Sequence, residues 1–408
     1  MSGGLADRWR DRFAACAPRD DDFVPRVVDA LLAFAEEAGA TDVHLLPDET
    51  GLDFRLRIDG VLQRVARLDL DIAPRVVARL KVLANLLTYR TDVPQEGRLR
   101  KGTERREIRL STFPCLFGEK AVVRLFVGSG GFRHLDELGL PEDASTRLRS
   151  LLAETAGVVL LTGPAGSGKS TTIYACLREI ADKTDGGRNL VSLEDPIEVV
   201  VPGVTQSQIA PAAGAGQGFS LATGLKALLR QDPDVIMVGE IRDRETAETV
   251  FQASLTGHLV LTTFHAGSAA QAVGRLSDMG IEPYLLRSSL LGILCQRLLR
   301  RVCTCATPVT DETLCRPWSA PVVKRANGCP TCRGTGYSGR LLAGELFEPS
   351  RDEVARGILT RMDAAKLERL AVEQGMIPQR ERVRREVAAG RTTPEEALRV
   401  LGSRALEG

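Results

Sequence analysis

The chain has 408 residues, 43% of them hydrophobic and 26% charged, with 54 Lys+Arg against 53 Asp+Glu and a formal net charge of +1. That length allows roughly two to four domains. The even charge balance, with no basic tail and no long run of one sign, gives no footprint for nucleic acid or an acidic membrane. Apolar runs such as GVVLLTG and HLVLTTF are strand-sized, well short of the ~20 residues a membrane-spanning helix needs. The opening MSGGLADRWRDRF carries charge from Asp7 onward and lacks the apolar core of a secretory leader. A cytoplasmic protein is expected, touching membranes only through partners.

Residues 1–20 are polar and expected to form a flexible N-terminus. The helical pattern FVPRVVDALLAFAEEAG follows. In LDFRLRI, Leu52, Phe54, Leu56 and Ile58 alternate with Asp53, Arg55 and Arg57, the period of a half-buried strand. Asp59-Gly60 turns that strand into a hairpin. The stretch APRVVARLKVLANLL predicts a helix, and REIRLSTF and KAVVRLFV predict further strands. Residues 21–128 thus form an α+β unit whose strands carry outward arginines. A glycine-rich linker over 129–140 leads into residues 141–301, where strands at Val158–Thr162, Leu190–Glu194, Asp234–Glu240 and His258–Thr263 alternate with helices. This predicts an α/β domain with a buried, mainly parallel sheet. From about Ser268 the chain reads as helical, apart from a cysteine-rich module at 302–345, and ends in a helical region at 346–408. There Thr393, Pro394 and Glu396 form the start signal of a helix.

The segment Gly163-Pro164-Ala165-Gly166-Ser167-Gly168-Lys169-Ser170-Thr171 lies between a buried strand and a helix, the context that defines a phosphate-binding loop. Glycines let backbone N–H groups close on a phosphate, and the helix aims its positive end at the same anion. Lys169 is expected to reach the β/γ-phosphate oxygens, and the Ser170 hydroxyl to ligate Mg²⁺. ATP and Mg²⁺ are the implied ligands. In a parallel sheet, ligands collect at the carboxyl ends of strands. Glu194 and Glu240 each close a predicted strand there. Either is a candidate to orient a water and accept its proton. Alternatively, Glu194 or the nearby Glu198 caps a turn or pairs with an arginine. His265 follows another strand on the same side and is a candidate γ-phosphate sensor.

Of nine cysteines, five cluster between Cys303 and Cys332. The pairs Cys303/Cys305 and Cys329/Cys332 supply four thiolates, a set suited to tetrahedral Zn²⁺. The second pair has C-x-x-C spacing. The first is C-x-C, and Cys315 is an alternative ligand.

Four ordered motifs now carry a resemblance. LEDPIE resembles the Asp box, DPDVIMVGEIRD the atypical Walker B segment with its Gly-Glu, and TGHLVLTTFHA the His box of the ATPases of type II secretion and type IV pilus assembly. The phosphate loop precedes them in the same order. The stretches RIDG, PQEGR and IRLSTFPCLFGEKAVVRL resemble the domain that precedes the motor in that family. The family more usually has His-Thr-Asn where this chain has His265-Ala266-Gly267. The resemblance implies a RecA-like P-loop motor preceded by a PAS-like domain. It further implies a homo-hexameric ring, working through an inner-membrane platform protein, with Arg98, Arg109 and Arg124 presented to nucleotide. A zinc knuckle implies the assembly branch rather than the retraction branch. The extra N-terminal domain that docks such ATPases on a membrane partner is expected to be lacking, since only ~20–40 residues precede TDVHLLPDE, too few for a domain. Two other readings of the phosphate loop are a P-loop kinase and a low-turnover nucleotide-dependent regulatory subunit.

Overall fold

The computed structural model describes residues 4–16, 20–100, 107–125, 134–209, 219–349 and 352–402. Residues 129–133 of the expected linker lie outside them. The chain divides into two compact units. One comprises residues 1–128, 302–307 and 326–339, and the other 129–301, 308–325 and 340–408.

The first unit begins with α1 (Leu5–Ala14) and α2 (Phe23–Glu37), then strands β1 (Asp42–Asp48), β2 (Gly51–Ile58) and β3 (Val61–Leu68). Helix α3 (Ala73–Leu83) and strands β4 (Gln95–Arg100), β5 (Glu107–Cys115) and β6 (Gly118–Arg124) complete it. The six strands form one sheet in the order β3-β2-β1-β6-β5-β4, antiparallel throughout. The period-two pattern of LDFRLRI puts Leu52, Phe54 and Leu56 in the core beside Val27 and Leu31 of α2. The N-terminus corrects the sequence reading. Residues 5–14 form a helix, and Trp9 is only 2% exposed, edge-on to Phe34 and Phe54. Leu5, Trp9 and Phe13 recur every fourth residue and anchor an otherwise polar helix, because one aromatic buries more area than several small residues.

The second unit runs α4 (Glu142–Leu152), β7 (Gly157–Thr162), α5 (Lys169–Thr184), β8 (Leu190–Glu194), β9 (Val204–Gln208), α6 (Leu221–Leu228), β10 (Val235–Val238), α7 (Arg244–Leu255), β11 (Leu259–Phe264), α8 (Ala269–Asp278), α9 (Pro283–Ser289) and β12 (Leu290–Val302). There follow β13 (Thr307–Val309), α10 (Glu312–Cys315), β14 (Val323–Arg325), β15 (Tyr337–Phe347), α11 (Asp352–Leu359), α12 (Ala364–Glu373), α13 (Gln379–Ala388) and α14 (Pro394–Leu401). The main sheet has the order β15-β12-β7-β11-β10-β8-β9, and its neighbours from β12 to β9 are parallel. Val158 and Leu160 face one core while Val159 and Leu161 face another, so the sheet is buried on both sides. That is why its strands read as continuous apolar runs.

β12 corrects the expectation that the chain is helical from Ser268 to the cysteine-rich module. A continuous apolar run such as LLGILC fits a buried strand and a buried helix equally well. The module at 302–345 is also not one block, since residues 308–325 belong with the second unit. Two buried carboxylates tie the C-terminal helices to this sheet. Glu396 accepts from the Arg300 backbone N–H at 2.9 Å and from its guanidinium at 2.8 Å. Glu345 on β15 accepts from the N–H groups of Ala269 (2.9 Å) and Gln379 (2.8 Å), the first residues of α8 and α13. Burial pushes the Glu345 carboxyl up, against those two N–H groups. Among the described residues no helix is long and apolar enough to cross a membrane.

Candidate active site and metal centre

The loop between β7 and α5 is shaped by its glycines. Gly163 has φ +143°, and a Cβ there would lie 2.4 Å from the Gln296 carbonyl oxygen and 2.6 Å from Ser167 Oγ, so no side chain fits. Gly168 caps α5 with φ +91°, a left-handed value that costs other residues energy. No side chain caps α5, which leaves its first N–H groups directed at the loop. Lys169 is buried and curls back, with Nζ donating to the carbonyls of Gly163 (2.9 Å) and Pro164 (3.1 Å). Burial holds its ammonium below the ordinary lysine value, and the charge of Glu240 pulls the other way. Ser170 stands half-buried in the first turn.

The neighbouring strand ends bring two predicted residues to this lysine. His265, just past β11, has Nδ1 3.4 Å from Lys169 Nζ and 3.3 Å from the Gly163 oxygen. Its Nε2 lies 2.8 Å from Glu240 Oε1. The second oxygen of Glu240 accepts from Arg242 Nε at 3.1 Å, and Arg242 reaches Asp195 at 3.4 Å. Arg275 donates to the His265 carbonyl. Lys169, at the start of α5, and His265 and Glu240, just past β11 and β10, therefore form one connected group at the carboxyl edge of the sheet. Glu194 belongs to a separate network. It is 2% exposed and accepts from Ser192 Oγ (2.5 Å), Gln206 Nε2 (2.9 Å) and the Tyr174 hydroxyl. Burial and the Glu194 charge push the Tyr174 phenol up, keeping it a donor. Tyr174 and Gln206 carried no motif signal, because only the folded sheet and α5 bring them to Glu194.

In the N-terminal unit the three predicted arginines fall into register. Arg98 on β4 stands opposite Arg109 on β5, which stands opposite Arg124 on β6. Arg124 is in turn opposite Asp42 on β1. Asp42 is buried, accepts from Arg124 Nε at 3.1 Å and pairs with Arg57 at 3.5 Å. Like charges directly across a sheet are destabilising, and at Arg124 the Asp42 carboxylate offsets this.

The thiols of Cys303, Cys305, Cys329 and Cys332 lie within 4.8 Å of one another. Cys303–Cys329 and Cys305–Cys332 are each 3.8 Å apart, and Cys329–Cys332 3.7 Å. A tetrahedron with Zn–S bonds of about 2.3 Å has S···S edges of roughly 3.8 Å, so the set fits Zn²⁺ despite the C-x-C spacing. Backbone N–H groups of Cys329 (3.0 Å) and Gly336 (3.2 Å) donate to the Cys332 sulfur. Hydrogen bonding, the Cys332 N–H first, brings the Cys329 thiol down to about 6. Cys305, despite the Gly328 N–H, is raised by contact with the other three thiols, so the metal-free cluster holds thiol and thiolate side by side. Cys315 is not in the group. It is buried beside Trp318 and turns its thiol to the Val309 carbonyl.

A parallel sheet with a glycine loop, lysine and helix N-terminus at the carboxyl end of a central strand resembles a RecA-like P-loop nucleotide hydrolase. Residues 17–399 match the family model described as type II/IV secretion system protein. The chain is 43% identical to the type II secretion system protein E of Pseudomonas aeruginosa, over 97% of this chain and 79% of that one. It is 38% identical to the type IV pilus assembly ATPase TfpB of Acinetobacter baylyi, over 94% of this chain and 66% of that one. Among solved structures, the ATPase DotB of Legionella pneumophila superposes with a TM-score of 0.67 at 21% identity, covering 94% of this chain and 97% of that one. The chain belongs to the type II/IV secretion system protein family. It is an ATP hydrolase and a motor of secretion or pilus assembly.

Proposed function

We propose that the chain is one subunit of a homo-hexameric, Mg-ATP-hydrolysing ring of the zinc-containing assembly branch, working at the cytoplasmic face of the inner membrane. It drives pseudopilus or pilus assembly through a membrane platform protein. The observation that carries the reading is the connected group Lys169–His265–Glu240 beside an open helix N-terminus, in a chain 43% identical to a type II secretion protein E.

The roles follow from the geometry. Backbone N–H groups of residues 163–168 and the start of α5 hold the phosphates. Lys169 exchanges the carbonyls of Gly163 and Pro164 for the β/γ-phosphate oxygens, a charge-assisted bond in place of neutral ones. Ser170 is the side chain that would hold Mg²⁺, which when bound neutralises charge between the β- and γ-phosphates. Glu240 takes the proton of the attacking water, because it is the carboxylate connected to Lys169 and His265. His265 reports the γ-phosphate. Glu194 positions the end of β8 through Tyr174 and Gln206. Arg98, Arg109 and Arg124, from the PAS-like N-terminal domain, supply further positive charge to the nucleotide. Cys303, Cys305, Cys329 and Cys332 hold a structural Zn²⁺ with no open position for chemistry.

The test is complementation. Deleting the gene should abolish export or piliation in its host, and the wild-type gene should restore it while Glu240→Gln does not. Full restoration by Glu240→Gln would refute the motor reading.

A further inference from the structure

The phosphate loop has a support that none of the four motifs contains. β12 pairs in parallel with β7, Cys295 opposite Thr162, so the next residue, Gln296, sits beside Gly163 where the loop begins. Gln296 is completely buried. Its backbone oxygen occupies the space that a Cβ on Gly163 would need. Its side-chain amide donates to the Ser167 carbonyl at 2.9 Å and to Thr172 Oγ1 at 3.2 Å. The same nitrogen is 3.2 Å from where a Cβ on Gly168 would stand. One residue therefore touches the beginning of the loop, its last turn and the first turn of α5.

The direction of the amide is informative. Its oxygen, Oε1, is buried with no hydrogen-bond partner, which ordinarily costs a protein stability. Turning the amide over would aim Oε1 at the Ser167 carbonyl, oxygen against oxygen, and lose the bond donated to it. The fold accepts the orphaned oxygen to keep the donor on Ser167. In a planar trans peptide, C=O and N–H point in opposite directions. Fixing the Ser167 carbonyl toward β12 therefore fixes the Gly168 N–H on the side away from β12. Gly168 has φ +91°, and a glycine tolerates peptide flips that other residues resist. The backbone alone does not hold this orientation.

We propose that Gln296 is a positioning residue for nucleotide binding: its amide pins the Ser167–Gly168 peptide so that the Gly168 N–H faces the phosphate. The proposal rests on the phosphate-loop reading given above. It makes the shape of the loop depend on a strand that lies far along the chain.

The test is ADP binding to the full-length chain by fluorescence titration, with Gln296→Met and Gln296→Glu. Gln296→Met keeps the length of the side chain and removes the donor, and should raise the ADP Kd about 10- to 100-fold in a folded protein. Gln296→Glu gives a pH signature that simple damage to packing does not. At pH 8.5 the introduced carboxylate opposes both the Ser167 carbonyl and the phosphate, and binding is weak. A buried carboxyl protonates well above its ordinary value, so at pH 6 its O–H can donate to Ser167. Affinity relative to wild type at the same pH should then recover at least about 5-fold. A folded Gln296→Met chain with wild-type Kd, or a Gln296→Glu profile parallel to wild type, overturns the proposal while leaving the phosphate loop standing. Failure of the wild-type chain itself to bind ADP would sink the phosphate-loop reading, and this one with it.

Discussion

In the motor unit the charged residues stand at the ends of strands; in the N-terminal unit they stand across them. The parallel sheet is buried on both faces, so Lys169, Glu240 and His265 have only its carboxyl edge on which to meet polar ligands. The antiparallel sheet buries one face, and register decides which side chains line up on the other. The row Arg98–Arg109–Arg124 spans three strands and is invisible to any one of them. A strand-end site depends on single residues with distinct duties. A cross-strand row depends on charge shared between neighbours. The two should fail differently when mutated.

The largest expected effect is at the strand end. Lys169→Ala should lower phosphate release by about 10³-fold or more, with the thermal midpoint unchanged. Glu240→Gln should lower kcat about 10²–10⁴-fold and leave ADP affinity intact. Glu194→Gln should act mainly on stability, by about 1–3 kcal/mol, since it removes acceptor capacity from a buried network. If Glu194→Gln has the larger effect on kcat, the base is Glu194. The arginine row should give graded losses. Arg98→Ala and Arg109→Ala should each cost about 10- to 100-fold in kcat/KM, less at high salt, with less than additive effects when combined. Additive losses would mean that the arginines act separately. Zinc analysis should find about one Zn²⁺ per chain. Cys329→Ser should lose it together with several degrees of thermal midpoint, and an unchanged midpoint would make the metal dispensable.

The smallest effect is on acid stability. Burial raises the Glu396 carboxyl, but the guanidiniums of Arg399 and Arg300 outweigh it and hold the group below its ordinary value. The stability it gives is complete above the unfolded value of about 4.3 and is lost as pH falls through the folded one. Glu396→Gln should therefore lower the neutral-pH midpoint and flatten its fall on acidification. An unaltered acid limb would count against the pairing.

The sequence spoke most clearly where chemistry needs fixed spacing. Gly163 to Ser170, the glutamates at the ends of β8 and β10, His265, and the four clustered cysteines could be singled out because each lies in a short contiguous motif. It was silent where the partner is remote in the chain. Gln296, Tyr174 and Gln206 look like ordinary strand and helix residues until β12, α5 and β9 are assembled around them. β12 itself was misread because LLGILC is apolar without a period, and α1 because Trp9 is one large residue among charges. The choice between Glu194 and Glu240 was open in the sequence for the same reason: both end strands, and only their hydrogen bonds separate them.

Glu345 has a mechanical consequence. It holds the first N–H of α8, just beyond His265, and the first N–H of α13. Parting these helices would strand a carboxylate in a dry interior. α8, β15 and α13 are thus joined at one buried carboxyl group, and Glu345→Ala should loosen the start of α8 and the start of α13 together.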